Sequence, residues 1–298
     1  MRTTTPRPDP LAWTVFRGTQ AIEDGLITAK ALRSQAWLRL RYDVYADARL
    51  EQDHRLVCQA AALSLPADAV IAGRSAAMLH GVDHAATFHD PVHVIVPPDS
   101  TFFGRAGLVV HRVVVDPRYI QASTPPRTTA LRTAWDAAIW HDQPAAVSIV
   151  DGLLRLGVIG GHDLSALAAA PPSRRGARRA AEVFGLADGR SQSGPESQLR
   201  VRLVLGGLPR PVPQCPVSVA AGRVLHVDLG WEQYRVAIEY DRPGPAGPEQ
   251  SHLDRRRLNQ LQAAGWIVLH ATSARMGRAF PGLMSELREA LRCRGWPG

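Results

Sequence analysis

The sequence predicts an α/β (α+β) chain in three parts: a small helical module closed by a β-ribbon, a mixed middle domain, and a C-terminal mixed sheet flanked by helices. Three observations predict it. Short β-branched and apolar runs bounded by glycine and proline alternate with helical periodicities along the chain. A helix, a glycine turn, a second helix and an arginine-bearing ribbon follow one another before residue 50. Near the C-terminus, two short strands joined by a tight turn carry carboxylates among apolar residues. At 298 residues the chain has length for two or three domains, each with a core of its own.

Composition narrows the class. The chain is 45% hydrophobic and 21% charged, as soluble globular proteins are. No apolar run approaches the roughly 18 to 20 residues that span a bilayer. The opening MRTTTPRPDP is polar and lacks the apolar stretch of a secretory signal, so residues 1–12 read as a disordered tail on a cytoplasmic protein. Cys58, Cys215 and Cys293 form no CxxC pair, which suggests neither a disulfide framework nor a zinc site. The net charge of +8 suits phosphate-bearing partners, because cations near a nucleic-acid backbone release its counterions. Lys30 is the only lysine. An arginine-rich codon usage accounts for that, yet any mechanism needing a lysine must use Lys30 or do without.

Residues 13–50 read as the first module. Thr19 caps a short helix that Gly25 ends, and Thr28 caps a second, AKALRSQA, with Lys30 and Arg33 on its exposed side. WLRLRYDVYA follows with β-rich content and interleaves Arg39 and Arg41 among apolar residues. Helix, glycine turn, helix and basic ribbon is the order of a winged helix-turn-helix, which makes Lys30, Arg33, Arg39 and Arg41 the expected DNA contacts. The alternative is a small capping subdomain with an arginine-rich surface.

Residues 53–187 read as the mixed middle domain. Leu56–Leu65 is an apolar helix, and AGRSAAMLHG is another, started by Ser75 and stopped by Gly81. PVHVIVPP and LVVHRVVV are strands, and a helix follows the prolines of TPPRTTALRTAWDAAIW. His80, His93 and His111 lack metal-ligand spacing and are read as core or surface histidines. ADGRSQSGP reads as a linker to a last domain over residues 190–298.

In that domain SGPESQLRVRLVLGG is a helix, GRVLHVDLGW and YRVAIEYD form a hairpin, SHLDRRRLNQLQAAGW is a helix, IVLHAT is a strand and Pro281–Cys293 is a closing helix. The alternation of each strand sets Asp228 opposite Val227 and Leu229, and Glu239 and Asp241 opposite Val236 and Ile238. The hairpin can therefore bring Asp228 close to Glu239. Carboxylates at short range repel unless a cation or shared proton relieves them, and carboxylate oxygen is the ligand Mg²⁺ prefers. The alternative pairs these acids with Arg235 or Arg257.

These blocks, SGPESQLR, VDLGW, RVAIEYD and LDRRRLNQLQAAGWIVLHAT, resemble the domain-of-unknown-function 559 family. That family belongs with the very-short-patch-repair endonucleases in the PD-(D/E)XK nuclease superfamily. GRSAAMLHG, VHVIVP and TPPRTTALRTAWDAA resemble proteins in which this domain follows an abortive-infection-type antitoxin N-terminus. The resemblance implies a restriction-endonuclease-like core in which Glu196, Asp228 and Glu239 line a Mg²⁺ site supported by Asp254 and Arg257. It also implies phosphodiester hydrolysis in DNA, and for such a substrate Arg255 and Arg257 are the expected phosphate contacts. The chain departs from the pattern at the lysine, where Glu239-Tyr240-Asp241 stands. It departs again after Asp241, where RPGPAGPEQSH leaves His252 to serve as general acid or base. Glu196 also fits a capping box begun by Ser193. A second reading of the chain is a non-catalytic transcriptional regulator or antitoxin-like protein, working through its N-terminal module with a cognate toxin as partner.

Overall fold

The computed structural model describes residues 7–104, 106–171, 173–241 and 248–298. It divides into two compact units, Met1–Ala137 and Ala138–Gly298. Among the described residues there are three sheets, and no helix is long and apolar enough to cross a membrane.

The first unit opens with β1 (Val15–Arg17) and α1 (Gly18–Glu23), and continues with β2 (Trp37–Arg41) and β3 (Val44–Asp47). These strands form an antiparallel sheet in the order β1-β3-β2. Leu11, Phe16, Leu32 and Trp37 fill its core, with the Phe16 and Trp37 rings edge to face at 5.1 Å. Residues 7–12 are therefore no loose tail. Leu11 is buried there and Arg7 donates to Asp47 at 3.2 Å. The second predicted helix also differs, shrinking to a single 3-10 turn at Ala31–Arg33. Thr28 still caps it, accepting from the Ala31 amide at 3.2 Å. The chain must then turn to bury Ala36 and Trp37 against Phe16, so the helix cannot continue. The start of α1 is fixed from a distance: Asp43, in the ribbon turn, accepts from the Thr19 amide at 2.8 Å. Gly18 is required because a Cβ there would stand 2.6 Å from the Tyr45 ring.

Next come α2 (His54–Ala62), β4 (Val70–Ile71), α3 (Gly73–Leu79), β5 (Val92–Val96), β6 (Leu108–Arg112), β7 (Ile120–Gln121), β8 (Arg127–Thr128) and α4 (Ala130–Trp140), the last running past the division. The strands form a mixed sheet ordered β6-β5-β4-β8-β7. Cys58 and Ala61 of α2 and Ala76 of α3 pack on Ile71, Val92 and Val94. Ser75 does not start α3. It points inward, accepts from the His93 amide at 3.0 Å and meets His54 Nε2 at 2.8 Å.

The second unit holds α5 (Gln143–Arg155), α6 (Gly161–Ala168), α7 (Ala177–Leu186) and α8 (Gly194–Leu205). Then follow β9 (Val212–Ser218), β10 (Val224–Trp231), β11 (Val236–Tyr240), α9 (Pro248–Ala263), β12 (Ile267–Ala271), α10 (Ser273–Met276) and α11 (Phe280–Cys293). The sheet is ordered β12-β11-β10-β9. β10 lies antiparallel to both neighbours, and β12 lies parallel to β11. The helix between those parallel strands supplies the crossover that such a pair requires. Leu199 and Leu203 of α8 and Leu283, Leu287 and Leu291 of α11 pack with Leu229, Val236 and Ile238. Leu261 of α9 packs with Cys215, Val227 and Ala237 instead. Val236 and Ile238 alternate with Ala237, so the helices cover opposite faces. Each fully buried leucine contributes about 1.5–3 kcal/mol.

Helices expected with the middle domain thus fall in the same compact unit as the C-terminal sheet. The segment expected as a linker is fastened down. The Asp188 amide donates to Asp151 at 2.7 Å, and Ser148 donates to the Gly194 carbonyl at 3.3 Å. A fully buried ion pair, Arg200 Nη2 to Asp151 Oδ2 at 2.7 Å, joins α8 to α5.

Candidate carboxylate site and basic surfaces

β10 and β11 pair Leu229 with Ile238 and Gly230 with Ala237, and the next step of that register sets Asp228 beside Glu239. On the other side, β9 pairs Cys215 with Val227 and Pro213 with Leu229, which brings Gln214 level with Asp228. Glu239 pairs onward with His270 of β12. Gln214, Asp228, Glu239 and His270 therefore form one row across the four strands.

Within this row the acids are treated differently. Asp228 accepts from the Tyr240 amide at 2.9 Å and from Gln214 Nε2 at 3.4 Å. The same nitrogen lies 3.4 Å from Glu196 Oε2, so one amide links the α8 carboxylate to the β10 carboxylate. Gln192 anchors this amide, donating to Gln214 Oε1 at 3.0 Å. Gln214 is held at a φ of 49°, a left-handed conformation that costs a residue with a Cβ about 1–2 kcal/mol.

Glu196 plays the capping part expected of it. Ser193 Oγ accepts from the Glu196 amide at 3.4 Å and donates to its carboxylate at 2.8 Å. The Gln192 amide donates to the other oxygen at 2.9 Å. The carboxylate that satisfies the start of α8 is thus also the one facing Asp228.

Glu239 turns away from that pair. Its Oε1 accepts from Arg257 Nη2 at 2.6 Å, and Arg257 also reaches the His226 carbonyl. The pairing of Glu239 with Arg257, one of the two readings open in the sequence, is realised, whereas Asp228 has no arginine partner among the described residues. Asp241 also stands apart, meeting His270 Nδ1 at 2.9 Å. His252 is exposed at the first turns of α9 and bonds none of the carboxylates among the described residues; residues 242–247, where the sequence departs most, lie outside the described residues. Asp254 and Arg255 are exposed on the same helix.

No group of three metal-ligating side chains converges among the described residues. The donor chemistry nevertheless fits Mg²⁺, which keeps several waters and is commonly held by one or two carboxylates. Glu196 and Asp228 offer two such carboxylates, with the Gln214 amide between them.

In the first unit Lys30, Arg33 and Arg39 are exposed and have no acidic partner among the described residues. Arg39 Nε donates to the Arg41 carbonyl at 3.4 Å. Arg41 itself is half-buried and donates to the Ala106 carbonyl at 3.1 Å, so it braces the ribbon.

Gln214 escaped the sequence reading because β9 did. VPQCPVS contains Pro213 and Pro216, each lacking an amide donor, and such residues belong only at sheet edges. β9 is an edge strand. The available signal was the alternation of Pro213, Cys215 and Val217, which are buried while Gln214, Pro216 and Ser218 are not.

Two uncharacterized proteins from two strains of Mycobacterium tuberculosis are similar to this chain. Each is 31% identical over 235 residues, covering 78% of this chain and 84% of the relative. No family model matches the chain. No solved structure matches it.

Proposed function

We propose that this chain, which belongs to the same family as the two Mycobacterium tuberculosis proteins, is a cytoplasmic DNA-interacting protein with a nuclease-type carboxylate site in its C-terminal sheet. The observation that carries the reading is the meeting of Glu196 and Asp228 on a single amide. It joins a helix start to the middle of a hairpin and brings two carboxylates, the ligand type that Mg²⁺ prefers, to one neutral donor. A mixed sheet flanked by helices, with acids at adjoining strand positions, also agrees with the resemblance to PD-(D/E)XK nucleases.

Glu196 and Asp228 would hold Mg²⁺, which supplies water activation and charge stabilisation at a phosphodiester. The chain's own residues prepare the place. Gln214 spaces the two carboxylates, and Tyr240 fixes Asp228 through its amide. Arg257 orients Glu239 and neutralises it. No lysine stands in this unit, so arginines supply all its permanent cations. Plasmid nicking with Mg²⁺ tests the reading. The parent should cut and Asp228→Ala should not, while cutting that survives the substitution sinks the site.

A second reading rests on Lys30, Arg33 and Arg39. Exposed and without acidic partners among the described residues, they suit a DNA contact by the N-terminal ribbon module of a regulator or antitoxin-like protein, with a cognate toxin as partner, although the recognition helix of a winged helix is reduced to one turn. A parent that binds DNA without ever nicking it would favour this reading.

A further inference from the structure

We propose that a hollow of about 280 Å³ between α9 and the start of β10 is a binding pocket for a backbone phosphate of nucleic acid. The proposal rests on the DNA reading above and extends it to a specific place.

The pocket is built by two regular elements. Leu253, Arg256, Arg257 and Gln260 line it, and their spacing of three, four and seven puts them on one face of α9. Arg223 and Leu225 line the opposite wall, two residues apart and so on one side of an extended segment. Three guanidinium groups thus line the hollow with one carboxylate, that of Asp254, and although Arg257 is paired with Glu239, the balance stays positive. A hollow with that balance rejects cations and attracts an anion. Arg223 and Arg256 are exposed and have no acidic partner among the described residues. Their planar donor forks remain available for the bidentate contacts that suit phosphate oxygens.

Two further features point to a nucleic-acid phosphate. Leu225 and Leu253 give the pocket an apolar wall, and Leu253 is 54% exposed, a surface suited to a sugar or base beside the phosphate. Arg257 is shared between the pocket and Glu239. A phosphate seated here therefore lies one side chain from the acidic row of the sheet, and a strand held by it would pass over that row.

Fluorescence anisotropy with a labelled DNA duplex, in chelator so that nothing is cut, tests the pocket between about 50 and 200 mM salt. Arg223→Ala with Arg256→Ala should weaken binding about tenfold and lower the salt slope by about one to two. Arg278→Ala, which removes an exposed arginine outside the pocket, should change affinity less than about twofold. Matching melting temperatures would show that the variants fold. If the double variant binds with the parent's affinity and slope, the pocket is overturned while the DNA reading stands. A parent that binds no DNA overturns both. Protection of the parent by inorganic phosphate, without any DNA binding, overturns the nucleic-acid assignment in favour of a free anion. Loss of binding in the double variant, beside an Asp228→Ala variant that still binds, supports the pocket separately from the carboxylate site.

Discussion

Glu196 and Asp228, brought from a helix start and a central strand, accept from the same Gln214 nitrogen at 3.4 Å each. The contact is long, and the amide is neutral, so it separates the two charges without cancelling them. Removing it leaves the carboxylates facing each other. Gln214→Ala should cost about 1–2 kcal/mol and should make the melting temperature rise more with Mg²⁺ than it does in the parent. Equal responses to Mg²⁺ would show that the two acids do not form a cation site. Gln214→Gly should melt higher than Gln214→Ala, because glycine accepts the left-handed backbone that alanine resists.

The buried pair of Arg200 and Asp151 holds α8 against α5, and with it the helix start that carries Glu196. Arg200 also donates to the Leu186 carbonyl at 2.6 Å. Arg200→Met strands the Asp151 charge and should destabilise the second unit by about 3–5 kcal/mol in denaturant unfolding. Adding Asp151→Leu removes the stranded charge and should recover part of that loss. A double variant as unstable as the sum of the singles would contradict a direct coupling.

Acid should loosen the first unit through its histidines. Burial holds His54 and His80 below the ordinary histidine range, and it lowers His111 to about 4. The contacts of His54 suit the neutral ring. The Thr87 carbonyl can only accept from Nδ1, and in the neutral ring Nε2 then accepts from Ser75. In the unfolded chain the same rings take up protons near pH 6.5. Their contribution to stability is therefore complete above about pH 6.5 and is lost as pH falls toward the folded values. Hydrogen exchange of the β5 amides should accelerate between about pH 6.5 and 4 beyond the intrinsic pH dependence. Exchange that tracks the intrinsic rate alone would refute this.

The N-terminal cations should act without affecting stability. Lys30→Ala, Arg33→Ala and Arg39→Ala together should weaken DNA binding and lower its salt slope by about two to three, with an unchanged melting temperature. Arg41→Ala should instead lower the melting temperature, since Arg41 braces the ribbon through Ala106. An unaltered slope in the triple variant would remove the ribbon module from the DNA contact.

The amino-acid sequence by itself determined the β10–β11 hairpin, the parallel return of β12 behind α9, and the neighbouring of Asp228 and Glu239. Those features follow from the two-residue period of strands and from apolar runs set off by turns, which act over a few residues. Only the tertiary structure decided that Glu196 meets Asp228 through Gln214, that Glu239 is taken by Arg257, and that the second N-terminal helix gives way to one turn so that Trp37 can pack on Phe16. Each of these depends on partners far away in the chain. An edge strand tolerates prolines that a local reading takes for loop, and a carboxylate goes to whichever donor the packed elements bring within reach.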